Sequence, residues 1–312
     1  MRILLTGASS FSGAWFLREL VAAGHEVVAV LGSKPDAYPD ALRRKRTAWA
    51  VQGCETVIGP RFGDAAFLDL LKSRPFDLLA HHGAMVTNYK SPDFDTAAAL
   101  AENTRALPAV IKAFKEKGGT RVLLTGSVFE GGEGAGSQGL PDFSPYGLSK
   151  ALTSRMFEYY CQRDGVSFGK FVIPNPFGEW EEPRYTAYVM KQWLKGETAV
   201  CGFPLNVRDN IHVSLLAKAY VHFAHALPES PGFVRYNPSG YPESQGAFTL
   251  RLAEAMRPRL GMACAVELKR QTEFPEPMVR INTDVVVGSA LGWDEAAAWD
   301  GMARYYRDGI AG

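Results

Sequence analysis

The chain has 312 residues, of which 46% are hydrophobic and 21% charged, a composition typical of a soluble globular protein with one large domain or a large domain and a smaller lobe. The formal net charge of +1 gives no support to a nucleic-acid or membrane-surface partner. Four scattered cysteines without a CxxC pair predict reduced thiols and no metal site, and no apolar run is long enough to span a bilayer. We therefore expect a cytoplasmic protein.

Short apolar runs alternate with longer amphipathic segments through the first half of the chain. Strands are predicted at residues 2–6, 26–31, 55–58, 77–81 and 120–125, and helices at 11–23, 65–71, 97–117 and 145–164. This alternation is typical of right-handed βαβ units. It predicts an α/β fold of the Rossmann type, a doubly wound parallel sheet with helices on both faces.

The pattern changes after the apolar run 167–173. Proline, glycine and aromatic residues become frequent, and helices recur at 186–194 and 213–226. We predict a Rossmann domain at residues 1–174 and a smaller C-terminal substrate-binding lobe at 175–312, with segments of the lobe returning to the main sheet.

A glycine- and serine-rich turn, LLTGASSFSG at residues 4–13, joins the first predicted strand to the first helix. Gly7 allows the tight turn, Gly13 allows close packing, and the helix start offers N–H groups to a pyrophosphate. The position predicts a dinucleotide site made by six residues: Gly7, Ser9, Ser10, Phe11, Ser12 and Gly13. Ser10 stands where a middle glycine is common, so its hydroxyl either binds phosphate or narrows the approach.

The end of the second strand bears on the choice of cofactor. It carries Ser33 and Lys34 and lacks the acid that usually binds the ribose of NAD, so NADP(H) is favoured over NAD(H), with Arg43 as a further contact. An alternative is that Asp36 reaches the ribose. The basic run 43–46 is interpreted as a solvated helix face. Asp64 is predicted to bind adenine, although a helix N-cap explains it nearly as well.

A tyrosine and a lysine lie four residues apart at the start of a predicted helix. Tyr146 and Lys150 therefore share one helix face, where an ammonium stabilises a phenolate. Ser127 ends the fifth strand, at the sheet edge where open parallel sheets bind ligands. We predict that Ser127, Tyr146 and Lys150 handle a proton while a bound nicotinamide takes or gives hydride, and that Lys150 also holds the nicotinamide ribose.

These motifs, in this order, resemble those of the extended short-chain dehydrogenase/reductases, the NAD(P)-dependent group that modifies nucleotide sugars. Further landmarks follow in sequence: AHHGA at 80–84, Asn103, PNPFG at 174–178, RDNIHV at 208–213 and LGW at 291–293. The resemblance covers nearly the full length.

The resemblance implies a nucleotide-diphosphate sugar as substrate and a homodimer formed through the helix that bears Tyr146. It also implies two sets of contacts. Those around the cofactor are Ala80, His82, Asn103 and Pro174, and those around the substrate are Ser127, Asn175, Arg208 and Arg270, with Arg280 as an alternative to Arg270.

Departures from the family pattern narrow the reaction. Family dehydratases carry Asp-Glu directly after the active-site serine or threonine, whereas this chain has Val128 and Phe129, with Glu130 displaced by one. The cysteine and histidine of the family's epimerase-reductases are also missing. We expect reduction of a 4-keto-6-deoxyhexose. The alternatives are an NAD-dependent 4-epimerase and, more distantly, a non-catalytic NADP(H)-binding regulator, although such relatives typically lose the Tyr/Lys pair that is present here.

Overall fold

The computed structural model describes residues 1–137 and 140–309. This part of the chain divides into two compact units. The first contains residues 1–133, 140–173 and 217–237, and the second contains 134–137, 174–216 and 238–309.

Up to residue 173, strands and helices of the described residues alternate, except that two helices follow the fourth strand and that the fifth and sixth strands follow one another. The strands are β1 (Arg2–Thr6), β2 (Glu26–Leu31), β3 (Glu55–Ile58), β4 (Leu78–His81), β5 (Arg121–Ser127), β6 (Ala135–Gly136), β7 (Ser167–Ile173), β8 (Asn175–Phe177), β9 (Ala199–Cys201), β10 (Val207–His212), β11 (Phe233–Tyr236), β12 (Pro238–Ser239), β13 (Tyr241–Ser244), β14 (Val266–Leu268), β15 (Val279–Ile281) and β16 (Asp284–Val285). The helices are α1 (Phe11–Ala22), α2 (Ala41–Ala50), α3 (Ala65–Ser73), α4 (Thr96–Asn103), α5 (Leu107–Glu116), α6 (Pro145–Asp164), α7 (Tyr185–Leu194), α8 (Val213–Ala226), α9 (Gln245–Leu260) and α10 (Glu295–Arg307).

The first unit is built on a parallel sheet with the strand order β11-β7-β5-β4-β1-β2-β3. The order reverses direction next to β1, which confirms the predicted Rossmann-type α/β fold. Leu4, Leu79 and Leu124 of the central strands are fully buried in one core with residues of α3, α5 and α6. Burial on both faces explains why these strands are continuous apolar runs in the sequence.

One predicted helix is wrong in its extent. The segment 97–117 forms two helices, α4 and α5, separated by Ala106, whose backbone is left-handed with φ of 46°. Pro108 follows in the first turn of α5, where its missing N–H costs nothing. The apolar periodicity runs through both helices and concealed the break.

The second unit contains a sheet centred on β10, which pairs with β8, β13 and β15. Its core packs Phe177, Trp193, Phe248 and Trp299 from strand β8 and three helices. Among the described residues, no helix has the length and apolarity needed to cross a membrane.

Candidate active site

The loop between β1 and α1 has the backbone geometry of a phosphate-binding turn. Gly7 has φ of +78°, and a Cβ added there would lie 2.6 Å from the Gly83 nitrogen. A Cβ on Gly13 would lie 2.2 Å from the Gly7 carbonyl oxygen. A side chain at either position would clash with these backbone atoms, so the two glycines let the turn pack tightly against the segment after β4 and the start of α1. The loop therefore fits a dinucleotide pyrophosphate.

Ser10 replaces the middle glycine without strain, because its φ of −78° is open to any residue. Its Oγ donates to the Gly7 carbonyl at 2.9 Å and accepts the Gly13 N–H at 3.2 Å, so it caps α1. The same Oγ lies 3.0 Å from Nε2 of His82, which is also 3.2 Å from Oγ of Ser12. The side chain of Ser10 thus holds the loop together.

His82 is a neutral member of this network. Burial, with a smaller contribution from the nearby charge of Lys150, lowers the pKa of His82 to about 3. Because Oγ of Ser10 gives its proton to Gly7, it accepts one from Nε2 of His82. The predicted cofactor residues Ser10, Ser12 and His82 are therefore in direct contact.

Two arginines of α2 bind the phosphate loop at Ser9. Arg43 donates to Oγ of Ser9 at 2.7 Å, and its guanidinium lies 4.3 Å from the centre of the Tyr38 ring. Arg46, which is 2% exposed, donates to the Ser9 carbonyl at 3.0 Å. The interpretation of residues 43–46 as a solvated helix face is therefore wrong for Arg46. Its signal in the sequence was the three-residue spacing of the two arginines, which places them on one face.

The other predicted cofactor residues lie near β1, β2 and α3. Ser33 is half-buried and Lys34 exposed in the turn after β2, and Phe11 is buried at the start of α1. Asp64 is the N-cap of α3, since its carboxylate accepts N–H groups of Phe67 at 2.8 Å and Arg61 at 2.9 Å. This geometry favours the alternative noted for Asp64, a helix cap.

Asn103 supports the segment that follows β4. Its Oδ1 accepts the Met85 N–H at 2.9 Å, and its amide donates to Oγ1 of Thr153 on α6 at 3.4 Å. Ala80 is fully buried within β4. Asn103 therefore ties the loop after β4 to the helix that carries Tyr146.

In the first unit, the last residues of β5 lie close to the first turns of α6. Lys150 of α6 is buried, and its Nζ donates to the carbonyl of Thr125 at 2.6 Å, two residues before Ser127. Tyr146 lies one helical turn earlier, and its ring packs edge-on against Tyr89 and Phe94, with centroids 5.4 and 5.8 Å away. These two rings were not anticipated from the sequence.

The pKa of Lys150 depends on its burial and on two nearby charges. Burial lowers its pKa to about 8, while the negative charge of Glu130 acts in the opposite direction and the charge of Lys170 adds to the lowering. Ser127 is buried at the end of β5, and its Oγ accepts the Phe129 N–H at 3.2 Å.

The second unit contains the predicted substrate residues other than Ser127, which lies in the first unit. The Asn175 side chain donates to the carbonyl of Asp209 at 3.2 Å. Arg208 is paired with Glu276 at 2.9 Å and donates to the Pro277 carbonyl at 3.0 Å. Arg270 is exposed, and Arg280, opposite Arg208 in the β10–β15 register, is buried. Pro174 directly precedes β8.

Comparisons with known proteins agree with this architecture. Residues 3–237 match the family model described as NAD dependent epimerase/dehydratase family. A 3-beta-hydroxysteroid dehydrogenase of Mycolicibacterium neoaurum is 26% identical over 94% of this chain and 76% of that protein.

Solved structures with the same fold include two epimerases and a dehydratase. UDP-glucuronic acid 4-epimerase from Bacillus cereus superposes with a TM-score of 0.74 at 15% identity over 99% of each chain. UDP-glucose 4-epimerase from Bifidobacterium longum gives 0.72 at 17% identity, also over 99% of each chain. A dTDP-glucose 4,6-dehydratase from Streptomyces venezuelae gives 0.70 at 20% identity, over 100% of this chain and 98% of that one.

Proposed function

This chain belongs to the NAD-dependent epimerase/dehydratase family, which makes it an NAD(P)-dependent enzyme of the extended short-chain dehydrogenase/reductase type, and we propose that it reduces the 4-keto group of a nucleotide-diphosphate-linked 6-deoxyhexose. The observation that carries the proposal is the meeting of β5 and α6, where Lys150 binds the backbone of the strand that ends in Ser127. A bound nicotinamide cofactor supplies or accepts hydride.

The residues of this chain have separate roles in that reaction. Ser127 donates a hydrogen bond to the substrate oxygen, and Tyr146 donates the proton that this oxygen gains as the carbonyl becomes a hydroxyl. Lys150 stabilises the phenolate left behind through its positive charge. The neighbouring rings of Tyr89 and Phe94 restrict the orientations open to the Tyr146 side chain.

The position of Glu130 supports reduction over elimination of water. Its side chain is 0% exposed and forms an ion pair with Lys170 at 2.5 Å. The acid of an elimination has to exchange a proton with the substrate. A buried carboxylate that is paired with Lys170 is not exposed to a substrate. Reduction needs only the hydride and the one proton of Tyr146.

The contacts of α2 support a preference for NADP(H). Arg43 lies on α2, which follows the loop after β2, and it reaches the phosphate loop at Ser9. A guanidinium pairs well with the 2′-phosphate that distinguishes NADP from NAD. A reductase consumes its reductant, and this preference agrees with that role.

A nucleotide-diphosphate sugar remains the proposed substrate class. Arg208 is the proposed phosphate ligand together with Arg270, and Asn175 the proposed contact to sugar or phosphate. Substrate phosphate would replace the half-exposed Glu276 carboxylate as the partner of Arg208, which exchanges one anion for another. A second candidate is the secondary alcohol of a hydroxysteroid, favoured by the curated relative of 26% identity.

The proposal is tested by mixing the enzyme with NADPH and, separately, a CDP-, dTDP- or GDP-linked 4-keto-6-deoxyhexose. We expect one of these sugars to cause loss of the reduced-nicotinamide absorbance, with the 4-hydroxy sugar as product. Parallel reactions contain NAD⁺ with UDP-sugars, for 4-epimerisation, and NAD(P)⁺ with 3β-hydroxysteroids. Absence of NADPH oxidation with all three keto sugars would contradict the proposal, and turnover in either parallel reaction would replace it.

We also propose that the enzyme is a homodimer that pairs through α6. The helix exposes Leu148, Leu152 and Tyr159 at spacings of four and seven residues, so they form one apolar stripe.

A further inference from the structure

A buried ion cluster lies behind the end of β5. Lys170 of β7 contacts Glu130 at 2.5 Å and Glu133 at 2.7 Å. Glu130 also accepts the backbone N–H of Ser127 at 2.7 Å and the hydroxyl of Ser154, on α6, at 3.0 Å. One carboxylate thus joins the last residue of β5 to both β7 and α6.

The strand end is shaped to receive this cluster. A Cβ on Gly126 would lie 2.7 Å from Cε of Lys170 and 2.9 Å from Oε1 of Glu130. The absence of a side chain therefore lets the ion pair lie directly against the backbone between Thr125 and Ser127. Lys150 holds the carbonyl of Thr125, and Glu130 holds the N–H of Ser127.

The charges around Lys150 come from several elements. Glu130 and Lys170 act on it with opposite signs. His81 ends β4 and His82 follows it, and Tyr146 lies on the same helix as Lys150. Burial lowers the pKa of both histidines to about 3, so they are neutral at physiological pH. Glu130 is therefore the negative group that offsets the burial of Lys150 and the repulsion of Lys170.

We infer that Glu130 is a positioning residue of the proposed proton-transfer site, which fixes the backbone of Ser127 and supplies the negative charge that keeps Lys150 an ammonium. The inference rests on the proposed roles of Ser127, Tyr146 and Lys150. It gives Glu130 no contact with substrate or cofactor, and so differs from an acid that eliminates water.

Glu133 provides a matched control. It contacts the same Lys170 but also binds Asn237 at 3.0 Å and Arg235 at 3.5 Å. The N–H of Ser127 binds Glu130. Glu130→Gln keeps an oxygen for the Ser127 N–H, removes the charge, and places an NH2 group where the second oxygen contacts Lys170 and Ser154. Glu133→Gln removes an equal charge from the other carboxylate that contacts Lys170, and this carboxylate does not bind Ser127.

The first measurement needs no substrate. The cofactor-free protein is labelled with ¹³C-lysine, and the Cε signal of Lys150, assigned by its loss in Lys150→Arg, is followed with pH. We expect the titration midpoint to move to lower pH in Glu130→Gln and to stay at the wild-type value in Glu133→Gln. An unchanged midpoint in Glu130→Gln, or an equal shift in both variants, would overturn the inference.

The second measurement is the pH profile of kcat/KM for the proposed reduction of the 4-keto sugar by NADPH. The alkaline loss of activity is expected to move to lower pH in Glu130→Gln, by as much as the Lys150 midpoint moves, with unchanged affinity for the cofactor. A merely structural role would lower activity at every pH without moving the profile, and this outcome would overturn the inference. If Tyr146→Phe keeps wild-type turnover, the proposed function itself fails, whatever the behaviour of Glu130.

A double variant covers the case in which Glu130→Gln does not fold. Glu130→Gln/Lys170→Met removes both members of the ion pair and leaves Glu133 with Asn237 and Arg235. Its Lys150 midpoint should still lie below that of the wild type, because Glu130 has the larger influence of the two. A midpoint equal to or above the wild-type value would overturn the inference.

Discussion

Individual side chains of the candidate site are held by partners that leave few alternatives. The side chain of Ser10 binds Gly7, Gly13 and His82, while Lys150 is buried against the backbone of Thr125. Such fixed groups lower the cost of ordering the site when a cofactor binds. Tyr146 packs against the rings of Tyr89 and Phe94, and its proposed role as proton donor can be tested directly.

Replacing Tyr146 by phenylalanine should reduce kcat by about 10²–10⁴, the usual contribution of a positioned general acid, because the variant has no proton to donate. Affinity for the cofactor, measured by nicotinamide fluorescence, should stay within a few-fold of the wild type. Tyr159→Phe, an exposed tyrosine of the same helix, is the control and should keep full turnover. Wild-type turnover in Tyr146→Phe would rule out its role as the acid.

At the scale of whole elements, α2 binds the phosphate loop, and a three-residue break with one left-handed residue separates α4 from α5. Arg43 and Arg46 lie one turn apart on α2 and both reach Ser9. The division between α4 and α5 depends on the left-handed backbone of Ala106. The arginine contacts of α2 and the backbone of Ala106 each lead to a testable prediction.

Arg43→Ala should weaken NADP(H) binding by about 10–100-fold, because a hydrogen bond to a charged group contributes about 1.5–3 kcal/mol and 1.4 kcal/mol is a factor of ten. NAD(H) binding should change much less, since it has no 2′-phosphate. The dissociation constants of both cofactors are compared with those of Lys45→Ala, an exposed cation of the same helix. An equal loss for the two cofactors would show that Arg43 only supports the loop.

Ala106→Gly should raise the free energy of unfolding by about 0.5–1 kcal/mol. The left-handed conformation costs an L-residue about 1–2 kcal/mol, which exceeds the extra chain entropy of about 0.4–1 kcal/mol that glycine loses on folding. Ala101→Gly, also exposed but inside α4, should lower it by about 1 kcal/mol. Denaturant unfolding of both variants measures the difference, and a loss of stability in Ala106→Gly would contradict the strain assigned to that residue.

At the scale of the whole molecule, the apolar stripe of α6 is the surface on which the proposed dimer depends. Leu148 and Leu152 are each 39% exposed and Tyr159 is 61% exposed, on the helix that also carries Tyr146 and Lys150. A partner that covered the stripe would remove apolar surface from water and brace the helix of the candidate site.

Leu152→Asp should convert the protein from a dimer to a monomer, because a charge in the centre of the stripe would have to be desolvated on association. Light scattering should give twice 34.1 kDa for the wild type and 34.1 kDa for the variant. Leu250→Asp, at an exposed leucine of α9, is the control and should remain dimeric. A monomeric wild type would refute the proposed dimer.

Local patterns in the sequence predicted strands β1 to β5 of the main sheet and the order of its motifs, but they did not predict β11. Strands β1 and β2 begin and end where predicted, since a strand buried on both faces has to be apolar along its length. The short run of β3 was also predicted correctly, although this edge strand is mostly exposed. The glycines of the phosphate loop were identifiable because their spacing reflects steric needs of the backbone. The family that the motifs resemble is confirmed by the match over residues 3–237.

The tertiary structure decided the features that depend on residues distant in sequence. Arg46 looked like part of a charged surface, and only the packing of α2 against the loop buries it. Glu130 looked like a displaced acid, and only the adjacency of β5 and β7 gives it Lys170 as a partner. Sequence by itself determined which local conformations and chemical groups were available. The fold determined which charges are paired and removed from water, because pairing depends on distances that no local pattern encodes.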